Sequence, residues 1–299
     1  MRLAWGLTAR LTPERASALG ARIVGAIGPH TRKHRMVLAN LAVVFPDRTA
    51  AGIERLARDS WAHFGRVIAE FPHFERFCEP AAPPRVEIVD RHGVLAAAAA
   101  GRPAILASGH FGNWELLAGL AGRHGMPLTV VHAARANPRI ERLVEQRRRA
   151  LGCEFIEQGE SAHRMLAAIR RGRSIGVLVD QRYDAGELVE LCGRPASAPI
   201  GPALLATRLR LPFVPVRCER IGPCRFRITI EPPLAPRPGL VEPRDKAKDL
   251  MRQLHRHFER WIAERPEQWL CIKRRWPKER AAPPHPDPAT ASGTCDNFP

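Results

Sequence analysis

From Pro83-Pro84 onward the chain alternates between short apolar runs and longer amphipathic stretches, and few folds can absorb such a pattern. Val86–Val89, Ala104–Ala107, Leu128–Val131, Glu154–Ile156 and Ser174–Val179 read as strands. The stretches between them, His92–Ala100, Gly112–His124, a segment capped by Asn137 and starting at Pro138, and Ser161–Arg171, read as helices. Apolar runs with no polar alternation are the mark of strands covered on both faces, and repeated β-α-β units predict a mostly parallel central sheet flanked by helices. A helix over Gly201–Leu209, two further strands (Phe213–Val216 and Phe226–Ile230) and a helix from about 244 to 264 continue the pattern. Between Asp180 and Pro199 lies a predicted loop of about 20 residues, a length that compact domains keep for functional segments.

Residues 1–82 have a different texture: one or two short predicted helices over 1–28, an apolar run over 36–45 that is too short to span a bilayer and ends at Pro46, and a second helical stretch from about 50 to 77. Thr12 before Pro13 is a helix start, a capping hydroxyl followed by a residue whose missing N–H costs nothing in the first turn. Leu19, Ile23 and Ile27 form a stripe beside Arg15 and Arg22. Two uses are open to it: packing on the main domain, or lying in a membrane interface. No run of about 18 uncharged apolar residues occurs, so no transmembrane helix is expected, and Arg10, Glu14 and Arg15 interrupt what would be the core of a secretion signal. Three segments follow: 1–82, helical and membrane-associating; 83–276, an α/β domain; and 277–299, rich in Pro, Ala and polar residues, a disordered tail.

The charge limits the partners. Forty-seven Lys and Arg against 30 Asp and Glu give a net charge of +17, which suits nucleic acid, an anionic membrane surface or an acidic protein. Only five of the 47 are lysines, so part of the excess reflects an arginine-rich composition. The aromatic residues do not interleave with basic ones in the manner of an RNA-binding surface, and no Walker or G-x-G-x-x-G loop occurs, so a nucleic-acid partner is not expected. The seven cysteines include no C-x-x-C pair and read as reduced thiols. His255 and His257 stand two apart on a helix, facing apart, and no metal or cofactor site is expected.

Ile105-Leu-Ala-Ser-Gly-His-Phe-Gly-Asn-Trp-Glu115 carries the chemistry. A strand leads into Ser108-Gly109, and His110 then falls at the carboxyl end of the strand, where open α/β sheets bind their ligands. On one continuous helix five steps rotate about 140° and would turn His110 and Glu115 apart. The two meet only if His110 stays in a turn that Gly109 and Gly112 permit, with Glu115 entering the helix. Glu115 could then hold one imidazole nitrogen and leave the other as a general base.

Ser108-Gly-His-Phe-Gly-Asn-Trp-Glu115 resembles the His-x4-Asp/Glu motif of the lysophospholipid acyltransferase superfamily, and within it the bacterial lipid A late acyltransferases, the lauroyl and myristoyl transferases. Further blocks match in order: Asn40-Leu41 with Phe45-Pro46; 131–152 with Arg135, Asn137-Pro138 and Arg148; Asp180-Gln181 at the end of a buried strand; Gly193-Arg-Pro-Ala, then Pro202 and Leu205-Ala206; Pro266-Glu-Gln-Trp269; and Arg274-Arg275-Trp276. The chain departs from the family in a short, charged N-terminal segment, and in Cys271 and Lys273 where a second Trp and a His are usual.

The resemblance implies transfer of an acyl group from acyl carrier protein, or acyl-CoA, to a hydroxyl of a lipid or glycolipid: a lipid A precursor first, an ornithine lipid or another glycolipid as alternatives. It implies His110 as base with Glu115 beside it, backbone N–H groups near Gly112 and Asn113 with Arg135 or Arg148 as oxyanion donors, Asp180 and Gln181 ordering the acceptor pocket or the His110 loop, and attachment to the cytoplasmic face of the inner membrane. Arg147–Arg149, Arg170-Arg171 and Arg274-Arg275 are expected to be exposed runs that suit an acidic carrier protein.

Overall fold

The computed structural model describes residues 2–79, 83–132, 152–157 and 161–276. Arg135, Arg148, the helix expected from 138 to 151 and the tail 277–299 lie outside the described residues.

Five helices come first: α1 (Arg2–Ala9), α2 (Pro13–Ile27), α3 (His34–Val44), α4 (Ala50–Glu70) and α5 (Phe74–Cys78). Thr12 caps α2, its hydroxyl accepting from Arg15 N, with Pro13 in the first turn. Helices α2 and α4 approach until glycine meets glycine. A Cβ on Gly20 would lie 2.3 Å from Gly65 O, and one on Gly65 would lie 2.1 Å from Gly20 O.

After them come β1 (Val86–Asp90), α6 (Val94–Ala99), β2 (Ile105–Ser108), α7 (Leu116–Arg123), β3 (Leu128–His132), β4 (Glu154–Glu157), α8 (Ser161–Arg170) and β5 (Ser174–Leu178). A hairpin of β6 (Glu187–Leu191) and β7 (Arg194–Ala198) follows, then α9 (Gly201–Leu209), β8 (Phe213–Gly222), β9 (Arg225–Ile230) and α10 (Pro243–Glu264). Seven strands form one sheet in the order β1-β9-β8-β2-β5-β3-β4, with every neighbouring pair parallel except β8–β9. The expected α/β class, a mostly parallel sheet flanked by helices with a helical segment ahead of it, is what the chain adopts.

Two details differ from expectation. The segment 180–199 contains the antiparallel β6–β7 hairpin instead of a plain loop. Its strands are short, and the turn between them uses Cys192 at φ 53° beside Gly193 at φ 68°, a combination that propensity does not announce. The helix expected from Gly112 begins only at Leu116, because 110–115 stays in a tight turn.

The sheet is covered on both faces. One core joins Ile105, Ala107, Ile175, Val177 and Phe213 to Leu254, Phe258, Trp261 and Ile262 of α10. The other joins Leu106, Leu128, Val214, Val216 and Ile228 to Leu116 of α7 and to Trp5, Phe71, Phe74 and Phe77. The N-terminal helices thus share a core with the sheet, and each fully buried Leu, Ile or Phe there contributes about 1.5–3 kcal/mol. Among the described residues no helix is long and apolar enough to cross a membrane.

Candidate active site

Strands β2 and β5 are parallel neighbours with Ser108 opposite Leu178. The second residue past each of those positions is His110 on one side and Asp180 on the other, so register alone brings them to the same carboxyl edge. Asp180 Oδ1 lies 2.8 Å from His110 Nδ1. Gly109 makes this possible: a Cβ there would lie 2.8 Å from the Asp180 Cβ. Gly112 has φ 54°, and a Cβ on it would meet Cys218 O at 2.4 Å, so the turn needs glycine for conformation and for closeness to β8.

The carboxylate on Nδ1 is therefore Asp180, whereas the sequence pointed to Glu115 for that contact. Spacing along one segment cannot reveal a partner supplied by the adjacent strand 70 residues later. Asp180 is 1% exposed, and its other oxygen, Oδ2, accepts the indole N–H of Trp269 at 3.1 Å. Burial works to raise the Asp180 carboxyl pKa. The charge and hydrogen bonds of His110, together with the Trp269 N–H, outweigh it and hold the group below its ordinary value. With its proton donated from Nδ1 to Asp180, His110 keeps the Nε2 lone pair for a substrate. Its side chain is 21% exposed, against the edge of Trp114 at 5.0 Å between ring centres, and the Gln181 amide nitrogen lies 3.4 Å from Nε2.

Glu115 is buried at the foot of α7 and lines, with Ser108 and Trp114, a largely apolar cavity. Leu106, Leu128, Val130, Phe155, Val216 and Ile230 form its walls, between the sheet and α7. Gly176 of β5 also lines it.

The turn is held from two directions. From α4, His63 Nε2–H donates to Gly112 O at 3.0 Å, and Glu70 accepts from Asn113 Nδ2 at 2.9 Å. Glu70 is fully buried and also takes a two-pronged pairing with Arg220 of β8 at 2.7 Å and the Ser17 hydroxyl at 2.6 Å. From the C-terminal segment, Gln268 O accepts Gly112 N–H, and Leu270 N–H donates to His110 O, both at 3.0 Å. The structure thus puts Gly112 and Asn113 into the framework of the turn: the Gly112 N–H is engaged by Gln268, and the Asn113 side chain is fully buried.

His63, Glu70 and Arg220 carried no signal in the sequence, since each is one polar residue in an ordinary helix or strand. Gln268 and Trp269 stood in a matched block without a role. Of the basic runs expected at the surface, Arg274-Arg275 is corrected: Arg275 is fully buried, bonded to Ser197 O at 2.6 Å and to His255 Nε2 at 3.2 Å. Among the described residues no group of His, Cys, Asp or Glu is arranged to hold a metal ion.

Fold and site together define an α/β protein with a histidine–carboxylate pair at the carboxyl edge of its sheet, and an apolar cavity lined by the neighbouring Ser108, Trp114 and Glu115. The model of the bacterial lipid A biosynthesis acyltransferase family matches residues 2–278, and the chain belongs to that family. It is also similar to the phosphatidylinositol mannoside acyltransferases of two Mycobacterium tuberculosis strains, with 29% and 30% identity over 188 residues. Those alignments cover 60% of this chain, which spans 57% of the relatives' length.

Proposed function

We propose that this protein transfers a fatty acyl group from a thioester, on acyl carrier protein or coenzyme A, to a hydroxyl of a lipid or glycolipid, with a lipid A precursor as the first choice of acceptor. The observation that carries the reading is the His110–Asp180 pair beside Trp114, whose ring packs on His110 and also lines a largely apolar cavity. In this mechanism His110 Nε2 removes the acceptor's hydroxyl proton while the oxygen attacks the thioester carbonyl. Asp180 stabilises the imidazolium that forms. Collapse of the tetrahedral intermediate breaks the carbon–sulfur bond, and the imidazolium returns its proton to the departing thiolate. The acyl chain occupies the cavity, and Glu115 in its lining is the second carboxylate of the site. Arg135 or Arg148 is assigned to the oxyanion and Gln181 to the acceptor side.

His110→Ala is expected to fold normally and to lose about 10²- to 10⁴-fold in turnover, in an assay of labelled acyl transfer to lipid acceptors. Near-normal turnover would remove the base from the mechanism. The relatives' names support a second acceptor, a glycolipid other than a lipid A precursor. A panel containing both acceptors decides between them, and an ornithine lipid belongs in it.

The reading includes a membrane surface, the cytoplasmic face of the inner membrane. Ile23 and Ile27 are 49% and 60% exposed on α2 beside Arg22, and Arg32, Lys33 and Arg35 are exposed just after that helix. Apolar side chains ringed by cations suit an anionic lipid interface. The protein is expected to float with vesicles containing anionic lipid and to be partly released by salt. Ile23→Asp with Ile27→Asp should weaken flotation; unchanged flotation would assign membrane contact to another surface.

A further inference from the structure

The acyl-transfer chemistry uses one oxygen of Asp180; the other is occupied by the indole N–H of Trp269 at 3.1 Å. Packing alone would be served by any aromatic ring at this 2%-exposed position, whose neighbour Trp276 lies 6.5 Å away at a steep angle. A buried indole N–H needs an acceptor, and most find a backbone carbonyl or water. This one is committed to the carboxylate that holds His110.

The main chain around Trp269 is tied to the same turn. Phe111 and Trp269 form an antiparallel bridge, flanked by Gly112 N–H to Gln268 O and Leu270 N–H to His110 O. The segment is anchored along its length. The Gln268 side chain accepts from Arg220 N and donates to Arg220 O. Asn40, fully inside the protein, donates to Cys271 O and Lys273 O and accepts from Arg275 N. Trp276 donates to Leu191 O in the hairpin that follows Asp180. The indole and the His110 backbone are therefore held by one rigid strap. A carboxylate bonded only through Oδ1 can swivel about its Cβ–Cγ bond; a second donor on Oδ2 fixes its plane.

We propose that Trp269 is a positioning residue of the acyltransferase site: its N–H locks Asp180 in the plane that presents Oδ1 to His110 Nδ1, so the strap 266–276 sets the aim of the base. The proposal rests on His110 and Asp180 acting as described above, and its test separates the two.

Trp269→Phe keeps the ring and removes the donor. A hydrogen bond to a charged group of this kind is worth enough that kcat should fall about 10- to 100-fold. KM for donor and acceptor should stay within about twofold, because neither substrate touches the indole. The same substitution made on top of Asp180→Asn should change kcat by less than about twofold, since the group through which Trp269 acts is already gone. Multiplying losses, or a loss confined to KM, would overturn the proposal. Nitrogen-15 spectra of the full chain give a readout free of activity and of the variant's folding: the Trp269 indole N–H resonance should move in Asp180→Asn while the other indoles stay in place. An unmoved resonance overturns the proposal as well. Full activity in His110→Ala would instead sink the acyl-transfer chemistry and leave the resonance test standing.

Discussion

Two buried carboxylates flank the turn 110–115, and they are built differently. Glu70, beneath Asn113, is saturated: Arg220 grips both oxygens, with Ser17 on one and Asn113 on the other. Asp180, behind His110, has no arginine or lysine in hydrogen-bond contact among the described residues. It holds a ring that can gain or lose a proton on one oxygen and an uncharged indole N–H on the other. A carboxylate neutralised by a permanent guanidinium has little left to offer a transient charge. One whose partner is a titratable imidazole is stabilised most when that imidazole becomes positive. The first arrangement suits a scaffold, the second a reaction.

The comparison can be broken most directly at Asp180. Asp180→Asn should lower turnover about 10²- to 10⁴-fold, because the imidazolium loses its counter-charge and Nδ1 its acceptor of fixed polarity. Its cost in stability should be only that of an imperfect hydrogen bond, about 1–3 kcal/mol. Acyl-transfer kinetics with urea unfolding of the same preparation measure both; preserved turnover would make Asp180 a scaffold too.

Glu70→Gln should behave in the opposite way. Leaving Arg220 buried without its carboxylate should cost about 3–5 kcal/mol, seen as a lower urea midpoint, while the folded fraction keeps most of its activity. If Glu70→Gln instead removed activity and spared stability, the roles of the two carboxylates would be exchanged.

The smallest effect sharpens the scaffold side through pH. Burial lowers the pKa of His63, which holds Gly112, to about 3, and that of His255, which holds the β6–β7 hairpin, to about 3, each with help from a nearby arginine. Both imidazoles are neutral in the folded protein, whereas the unfolded chain takes up protons near pH 6.5. The unfolded state then binds more protons, so stability falls as pH drops below 6.5, by up to about 1.4 kcal/mol per pH unit for each imidazole until its folded pKa is reached. Urea midpoints between pH 7.5 and 5 check this, and His63→Gln should flatten the slope. Asp180 behaves in the usual carboxylate manner: its lowered pKa adds stability above the ordinary carboxylate range, lost only at more acid pH.

Much of this was legible in the linear chain. Strand-length apolar runs between amphipathic helices announced a parallel sheet, because a strand buried on both faces leaves few positions for a polar residue. The helix Gly201–Leu209 was read to the residue, since Pro202 near its start and the basic residues at its end mark both limits locally. His110 was found for a related reason: a strand followed by two glycines around a histidine is a local pattern, and a sheet delivers such a turn to its carboxyl edge. Its partner was not local. Asp180 reaches His110 because β2 and β5 are neighbours in a particular register, and strand order is decided by how helices pack on the two faces. Glu70, Arg220, Gln268 and Trp269 come from a helix, a strand and the C-terminal strap, with Glu70 and its partner Arg220 already 150 residues apart. Local propensity and periodicity determined which elements form and where the reactive turn lies. Only burial in a shared core decided which charges meet across it, because an ion pair or an indole bond inside a protein is chosen by distance in space, to which spacing along the chain is blind.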